Sequence, residues 1–408
     1  MVPPTRQDFI FRLLTITRQV QVLSTLPLKA LSYYWGRFNE IQLPVFLRAP
    51  GFKLYSFFFG VNLDEVAEPL PHYRNLAEFF YRQLKPGVRP IDPRHNTIIS
   101  PADGKILQFG EVRAGGHVEQ VKGMTYSLDA FLGTETSPNP DAVVHAILTP
   151  DEKHHAPARQ LPEGDSDSES PVISTTDQEF ANVNGIQYTL PSLLSGTSKA
   201  PSSNPHDAST SPVDGATTEV AKDLVSTWWS PKKRLFYAVV YLAPGDYHRF
   251  HSPVPWVVER RRHFNGELYS VSPLFQNRMP GLFTLNERVA LLGRWRHGLF
   301  SMTLVGATNV GSIKIHFDRE LRTNSFTKPV GDEAEGGFAE ATYKGASTLL
   351  GGHPLTKGAE VGGFNLGSTV VLVFEAPGEG KDAFKWAVKR GQTVKFGEVL
   401  GVVGSDDE

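Results

Sequence analysis

The sequence predicts an α+β protein in which a β-rich core follows a helical N-terminal region. Three observations predict it. Residues 8–90 read mainly as helix. From residue 235 to the end, β-branched and aromatic runs recur between Gly, Pro, Asn and Asp. The 37 Gly and 30 Pro among 408 residues exceed the usual share of about 12%, as many turns between short strands require.

Taken in order, the chain begins with Arg6, Arg12 and Arg18, and Asp8 is the only acid before Glu40. That composition suits an amphipathic targeting or membrane-surface helix, and equally an amphipathic helix packed on its own domain. No apolar run reaches the ~18 residues of a membrane span. Asn75 with Glu78 forms a cap pair, which predicts a helix running to about Lys85 through Phe79, Phe80 and Tyr81. Pro86-Gly87 ends it. The expected division is a helical, membrane-associating region at 1–90 and a catalytic domain at 91–408. Residues 95–150 switch to short strand-like runs. Residues 159–222 are rich in Ser, Asp, Pro and Thr, and 195–218 is low in complexity, so a largely disordered surface insertion is expected there. Inside it, 183–194 echoes 121–132, with Val, Gly, Tyr, Leu and Leu in step, as chance or a duplicated strand–helix element would give.

The runs 235–242, 303–305, 312–317, 369–374 and 394–403 are predicted strands. Glycines part the C-terminal strands in the manner of the barrel-sandwich hairpins of lipoyl and biotinyl carriers. The carriers' modified Lys between two Met residues is absent, so this likeness is one of architecture only.

Composition excludes several chemistries. With no Cys there is no disulfide, thiolate metal site or cysteine nucleophile. Lys plus Arg (41) nearly balance Asp plus Glu (43), which argues against a nucleic-acid partner. The nucleophile candidates are then Ser, Thr, Lys or a carboxylate.

Three clusters remain. Ser368 follows Gly367 at the entry of a continuous apolar strand, a position that an ordinary turn also explains. His248 and His251 lie three apart after a buried-looking strand; a third metal ligand is not evident nearby, so no metal is expected. Asp103 stands in an Asp-Gly turn. A Ser, a His and an Asp on separate strand ends can form a nucleophile–base–orienter set if the fold brings them together.

Leu366-Gly-Ser-Thr369, Tyr247-His-Arg-Phe-His251 and Ser100-Pro-Ala-Asp-Gly104 occur in the order found in the phosphatidylserine decarboxylase family, mitochondrial-type branch. The chain resembles that family from about Leu26 onward, interrupted by 159–222. Phe79-Phe-Tyr-Arg-Gln-Leu-Lys-Pro86, Val121-Lys-Gly-Met-Thr-Tyr-Ser-Leu128 and Val305-Gly-Ala-Thr-Asn-Val-Gly311 add to the likeness. The transit segment and membrane span of that branch are not recognisable in these residues.

The resemblance implies a self-processing enzyme. Ser368 attacks the carbonyl of Gly367, His251 is the general base, and Asp103 holds its tautomer. Cleavage leaves 1–367 and 368–408 associated, with Ser368 converted to a pyruvoyl cofactor. His248 matches the acid that returns a proton during decarboxylation of phosphatidylserine to phosphatidylethanolamine. The resemblance places the protein at the mitochondrial inner membrane. Trp228-Trp229 with Lys232-Lys-Arg234, the aromatic helix at Phe79, and Arg260-Arg-Arg262 are candidate membrane contacts, each otherwise a solvated face. His154-His155 suggests a solvated loop, and Asn309-Val-Gly311 either a hairpin turn or a close approach to the cofactor. Two other readings use the same residues. A Ser-His-Asp lipid esterase would keep an intact chain, but no Gly-x-Ser-x-Gly elbow surrounds Ser368. A non-enzymatic barrel-sandwich carrier lacks its Lys.

Overall fold

The computed structural model describes residues 28–112, 116–121, 124–133, 144–145, 175–186, 233–276, 279–308, 312–325, 337–365 and 368–404. Helices used below are α1 (Leu28–Asn39), α2 (Val45–Phe59), α3 (Leu76–Phe80), α4 (Leu128–Leu132) and α5 (Thr175–Asn184). The strands in chain order are β1 (Thr97–Ile99), β2 (Gly104–Glu111), β3 (His117–Val121), β4 (Met124–Ser127), β5 (Val144–His145), β6 (Lys233–Tyr241), β7 (Arg249–His251), β8 (Trp256–Phe264) and β9 (Arg288–Trp295). They continue as β10 (Gly298–Val305), β11 (Ile313–Ile315), β12 (Ala339–Thr342), β13 (His353–Leu355), β14 (Glu360–Phe364), β15 (Thr369–Pro377), β16 (Phe384–Trp386), β17 (Thr393–Val394) and β18 (Val399–Val403).

One ten-stranded sheet organises the chain, in the order β17-β2-β6-β15-β10-β9-β8-β12-β5, with β13 also on β8. Its middle strands are buried on both faces. Val370, Leu372 and Phe374 of β15 join one core with Phe236, Val240, Phe300 and Met302, while Val371 and Val373 face a second core with Tyr237, Val239 and Ala290. Double burial removes the polar–apolar alternation and leaves the continuous apolar runs seen in the sequence. The three-stranded sheets β1-β18-β16 and β11-β14-β7 supply residues to the first core. The β3–β4 hairpin and α4 supply residues to the second.

The β-rich α+β class is as predicted. The C-terminal runs do not close a barrel among the described residues: β17 joins the large sheet through β2, and β18 pairs with β1 and β16.

The N-terminal region has its own small core, with Phe52 stacked on Phe79 at 4.7 Å. Asn75 caps α3 as expected, accepting from the Glu78 amide at 2.8 Å. The helix ends at Phe80 and not near Lys85, because residues 65–67 claim the next backbone groups: Lys85 N donates to the Glu65 carbonyl and Ala67 N to the Gln83 carbonyl.

Other expectations are corrected. Phe79 and Phe80 are fully buried, so that helix offers no membrane face. In the Arg260-Arg-Arg262 run, Arg261 pairs with Asp318 and Arg262 with Glu340 inside the protein, so the run is not a solvated basic patch. Arg234 is taken up by Glu111 and Glu379. Within the 159–222 insertion, α5 is docked: Ala181 and Ile186 pack with Val257 and Leu350, and Ser347 Oγ donates to Asp177 at 2.6 Å. Val183 and Asn184 end that helix, whereas Val121 ends a strand, so the described part of the echo does not repeat a fold element. Arg6, Arg12, Arg18, His154, His155, Trp228, Trp229, Lys232 and Asn309 lie outside the described residues.

The docked helix yields a test. Ala181→Glu places a charge in a fully buried position; chymotrypsin should then cut after Phe180 at least about tenfold faster, as a local loss of ~1.4 kcal/mol implies, with the rest of the chain still resistant.

Candidate active site

Ser368 opens β15 and is fully buried. Its carbonyl accepts from Leu242 N at 2.9 Å, the step before the Thr369↔Tyr241 pair of the ladder. Its Oγ is buried without a hydrogen-bond partner among the described residues. Leu366 and Gly367 lie outside the described residues. Just upstream, Asn365 is fixed to Ser312 through N···O at 3.0 Å and Nδ2···Oγ at 2.9 Å.

His248 belongs to the loop that leaves β6. Asp246 shapes this loop by accepting the Ala243 amide at 2.7 Å. His248 Nδ1 lies 2.8 Å from the Asp246 carbonyl, which only accepts, so Nδ1 carries the proton and Nε2 the lone pair. Nε2 is buried and has no partner among the described residues. Phe364 N donates to the His248 carbonyl at 2.9 Å. The backbones on both sides of Ser368, at Phe364 and Leu242, are thus tied to the segment carrying His248. Burial, aided by the Arg82 charge, lowers the His248 pKa to about 3.

His251 sits on β7. Its Nδ1 donates to the Gly358 carbonyl at 3.0 Å, and its Nε2 meets the Tyr247 hydroxyl at 3.0 Å. Its ring stacks on Phe396 at 3.7 Å. Burial lowers its pKa to about 4, against an upward pull from Glu360 and, more weakly, Asp103.

Asp103 closes the turn after β1. Glycine is required beside it, because a Cβ on Gly104 would run into the Tyr241 carbonyl. The expected hydrogen bond from Asp103 to His251 is not made. Arg89 occupies the carboxylate instead, with Nε at 3.0 Å from Oδ1 and Nη2 at 2.6 Å from Oδ2, and the Phe396 amide donates to Oδ1 at 2.8 Å. Phe396 therefore separates the two, bonded to Asp103 through its backbone and stacked on His251 through its ring.

The sequence reading missed two cations. Arg89 bridges Asp103 to Glu65 of the N-terminal region. Arg82 donates through Nη2 to the Gly245 and Asp246 carbonyls, both at 2.9 Å, so it shares the Asp246 oxygen with His248. Its Nε and Nη1 are buried without partners among the described residues. Arg82 lies in the Phe79–Pro86 motif, but nothing in that motif marks it as a neighbour of His248.

The phosphatidylserine decarboxylase family profile matches residues 76–159 and 153–402. The chain is 51% identical over 392 residues to the phosphatidylserine decarboxylase proenzyme 1, mitochondrial, of Schizosaccharomyces pombe, covering 94% of this chain and 82% of that protein. It is 48% identical over 401 residues to proenzyme 1, mitochondrial, of Saccharomyces cerevisiae, with 94% and 74% covered. It is 41% identical over 384 residues to the mitochondrial proenzyme of Cricetulus griseus, again with 94% and 74% covered.

This chain belongs to the phosphatidylserine decarboxylase family. Membership leaves the esterase reading without support.

The buried histidines give this family member a defined acid response. Their folded pKa values, about 3 and about 4, lie below the unfolded value of 6.5. The stability they contribute is complete above pH 6.5 and is lost as pH falls toward the folded values, because the unfolded chain then binds more protons. Each histidine should cost roughly 1.4 kcal/mol per pH unit in that window. The urea midpoint should drop from pH 6.5 to pH 4.5, and His248→Gln should flatten the slope; an unchanged midpoint would contradict the assigned neutral state.

Proposed function

We propose that this chain cleaves itself between Gly367 and Ser368, converts Ser368 to a pyruvoyl group, and decarboxylates phosphatidylserine to phosphatidylethanolamine at the mitochondrial inner membrane. Family membership and the names of the relatives support the activity, the proenzyme state and the mitochondrial location. The single observation that carries the site assignment is the fully buried Ser368 Oγ, without a hydrogen-bond partner among the described residues, in the segment tied to His248.

In self-cleavage, the Ser368 Oγ–carbonyl bond forms as the Gly367–Ser368 peptide bond breaks. As Ser368 loses its Cα proton, the Cβ–Oγ bond breaks by elimination, leaving a Gly367 carboxylate and a dehydroalanine terminus, whose imine tautomer takes up water and releases ammonia to give the ketone. Neighbouring residues supply both partners, so no second molecule has to be oriented. His251 fits the general base. Gly358 holds its Nδ1 proton, which leaves the lone pair on Nε2, where the Tyr247 hydroxyl is its present partner. Asp103 acts on His251 by charge across Phe396, and Arg89 holds it there.

Ser368 fits the precursor of a pyruvoyl group, because its buried hydroxyl is uncommitted and its carbonyl is anchored to Leu242. Once formed, such a group supplies a ketone that takes up the electron pair released with CO₂. The remaining tasks fall to the chain. His248, whose Nε2 has no partner among the described residues, fits the acid that returns a proton to the former α-carbon; its low pKa makes a proton held there strongly acidic. The fully buried His248 and Ser368 keep water from the departing carboxylate.

The bilayer contact falls to α1 and α2. They expose Tyr34, Phe38, Phe46, Phe57 and Phe58, and they carry Lys29, Arg37, Arg48 and Lys53 with no acidic residue. A large apolar face with cations and no acids suits an anionic lipid surface. No helix among the described residues is long and apolar enough to cross a membrane, so this is contact within the interface.

Denaturing mass spectrometry of the purified protein should show chains 1–367 and 368–408, the smaller blocked by a ketone that borohydride reduces. A single full-length chain with lipid hydrolysis would refute the proposal. His251→Ala and Asp103→Ala should block splitting. His248→Ala should split normally yet lose turnover by at least about 100-fold. Phe57→Glu with Phe58→Glu should abolish sedimentation with phosphatidylserine vesicles while splitting continues.

A further inference from the structure

Two cavities lie on the N-terminal region, one apolar and one polar, and they share a wall. The apolar one, about 400 Å³, opens between α1 and α2 and is lined by Phe38, Leu54 and Phe58 among others. Those three side chains are exposed, so the cavity opens on the face assigned to the bilayer. The polar one, about 220 Å³, lies between α1 and the strand ends of the core, and its walls include Arg37, Glu40, Ser312, Thr323 and Asn365. Asn39 lines both. It is 2% exposed, and its Nδ2 is anchored to the Trp35 carbonyl at 2.8 Å, so its position at the junction of the two is fixed.

Polarity along this path runs in one order. An apolar mouth leads to Asn39, then to a polar chamber with a guanidinium, then to Asn365, three residues before Ser368. A glycerophospholipid has the same order: acyl chain, ester and glycerol, anionic phosphodiester, headgroup. Arg37 is the only cation among the described residues that line the polar chamber. Its present partner, Glu40 at 3.2 Å, is an exposed i,i+3 pair, which a phosphate can replace at little cost.

We propose that the two cavities form one bipartite subsite for a single glycerophospholipid. One acyl chain occupies the α1–α2 cavity, and the phosphodiester lies against Arg37, which directs the headgroup toward Ser368. The subsite deepens the lipid-decarboxylase reading: α1 and α2 then select the substrate molecule as well as touch the surface. The apolar volume lies within the 300–1,000 Å³ range of small-molecule sites.

Gly51 provides the test. It lines the apolar cavity within α2, and a Cβ there would meet nothing within 4 Å. Gly51→Phe therefore fills the cavity without backbone strain, and it replaces a poor helix former. Binding is read by titration calorimetry in a Ser368→Ala background, which neither splits nor turns over, so the result stands apart from the success of the catalytic reading. The probes are dihexanoyl phosphatidylserine below its micelle concentration, glycerophosphoserine without acyl chains, and dihexanoylglycerol without phosphate. Gly51→Phe should weaken the first and third by at least about fivefold, the effect of ~1 kcal/mol, and leave glycerophosphoserine unchanged. Arg37→Gln should weaken the first two by a similar factor and leave dihexanoylglycerol unchanged. Vesicle sedimentation should survive Gly51→Phe. No measurable binding of the dihexanoyl lipid to the parent, or equal affinities in parent and variants, would overturn the subsite. Loss of sedimentation without loss of soluble-lipid binding would also overturn it, leaving only surface contact.

Discussion

The hydrogen bond from Leu242 N to the Ser368 carbonyl holds the site to the fold. It stands at the end of a register that runs from Thr369↔Tyr241 to Pro377↔Lys233 on one side of β15 and from Val305↔Thr369 to Phe300↔Phe374 on the other. Val370 through Phe374 are all 0% exposed. At about 1.5–3 kcal/mol for each such side chain, this burial favours a fragment beginning at residue 368 staying seated, as the proposed cleavage requires.

A second tie joins this strand end to the N-terminal helical region. The loop between β6 and β7 is held from outside the β-core. Tyr55 of α2 donates to the Pro244 carbonyl at 2.8 Å, and Arg82 donates to the next two carbonyls. Gly245 allows this, since a Cβ there would collide with the Phe59 carbonyl at the end of α2. The Asp246 oxygen takes a proton from Arg82 and one from His248. One carbonyl thereby fixes the imidazole tautomer and places a buried cation beside it. Desolvation and that cation act in the same direction on His248, and both favour the neutral ring.

What the sequence revealed follows from which forces are local. The runs 235–242 and 369–374 were readable because burial on both faces leaves them almost wholly apolar. The Asn75 cap was readable because its partner is three residues away. The end of α3 was not, because residues 65–67 decide it by pairing with 83–85. The docking of α5 was hidden by its Ser- and Pro-rich surroundings, and the burial of Arg261 and Arg262 by partners at Asp318 and Glu340. The site divides the same way. Ser368, His248, His251 and Asp103 stood out as residue types at strand ends, and family resemblance assigned their roles. That Asp103 faces Arg89 and the Phe396 amide, 293 residues away in sequence, depends on β1 and β2 meeting the C-terminal hairpin.

The two histidines share one property that bears on the order of the chemistry. Both give their Nδ1 proton to a backbone carbonyl, and both have pKa values far below neutrality, so each holds its lone pair on Nε2. A precursor furnished in this way has proton acceptors and no protonated imidazole. That is the state required to deprotonate a serine hydroxyl, and it is unsuited to protonating a carbanion. On the proposed roles, decarboxylation therefore requires His248 to gain a proton that its buried setting beside Arg82 disfavours, so the resting imidazole pair is furnished for the cleavage step and the acid of the second reaction has to be made after it.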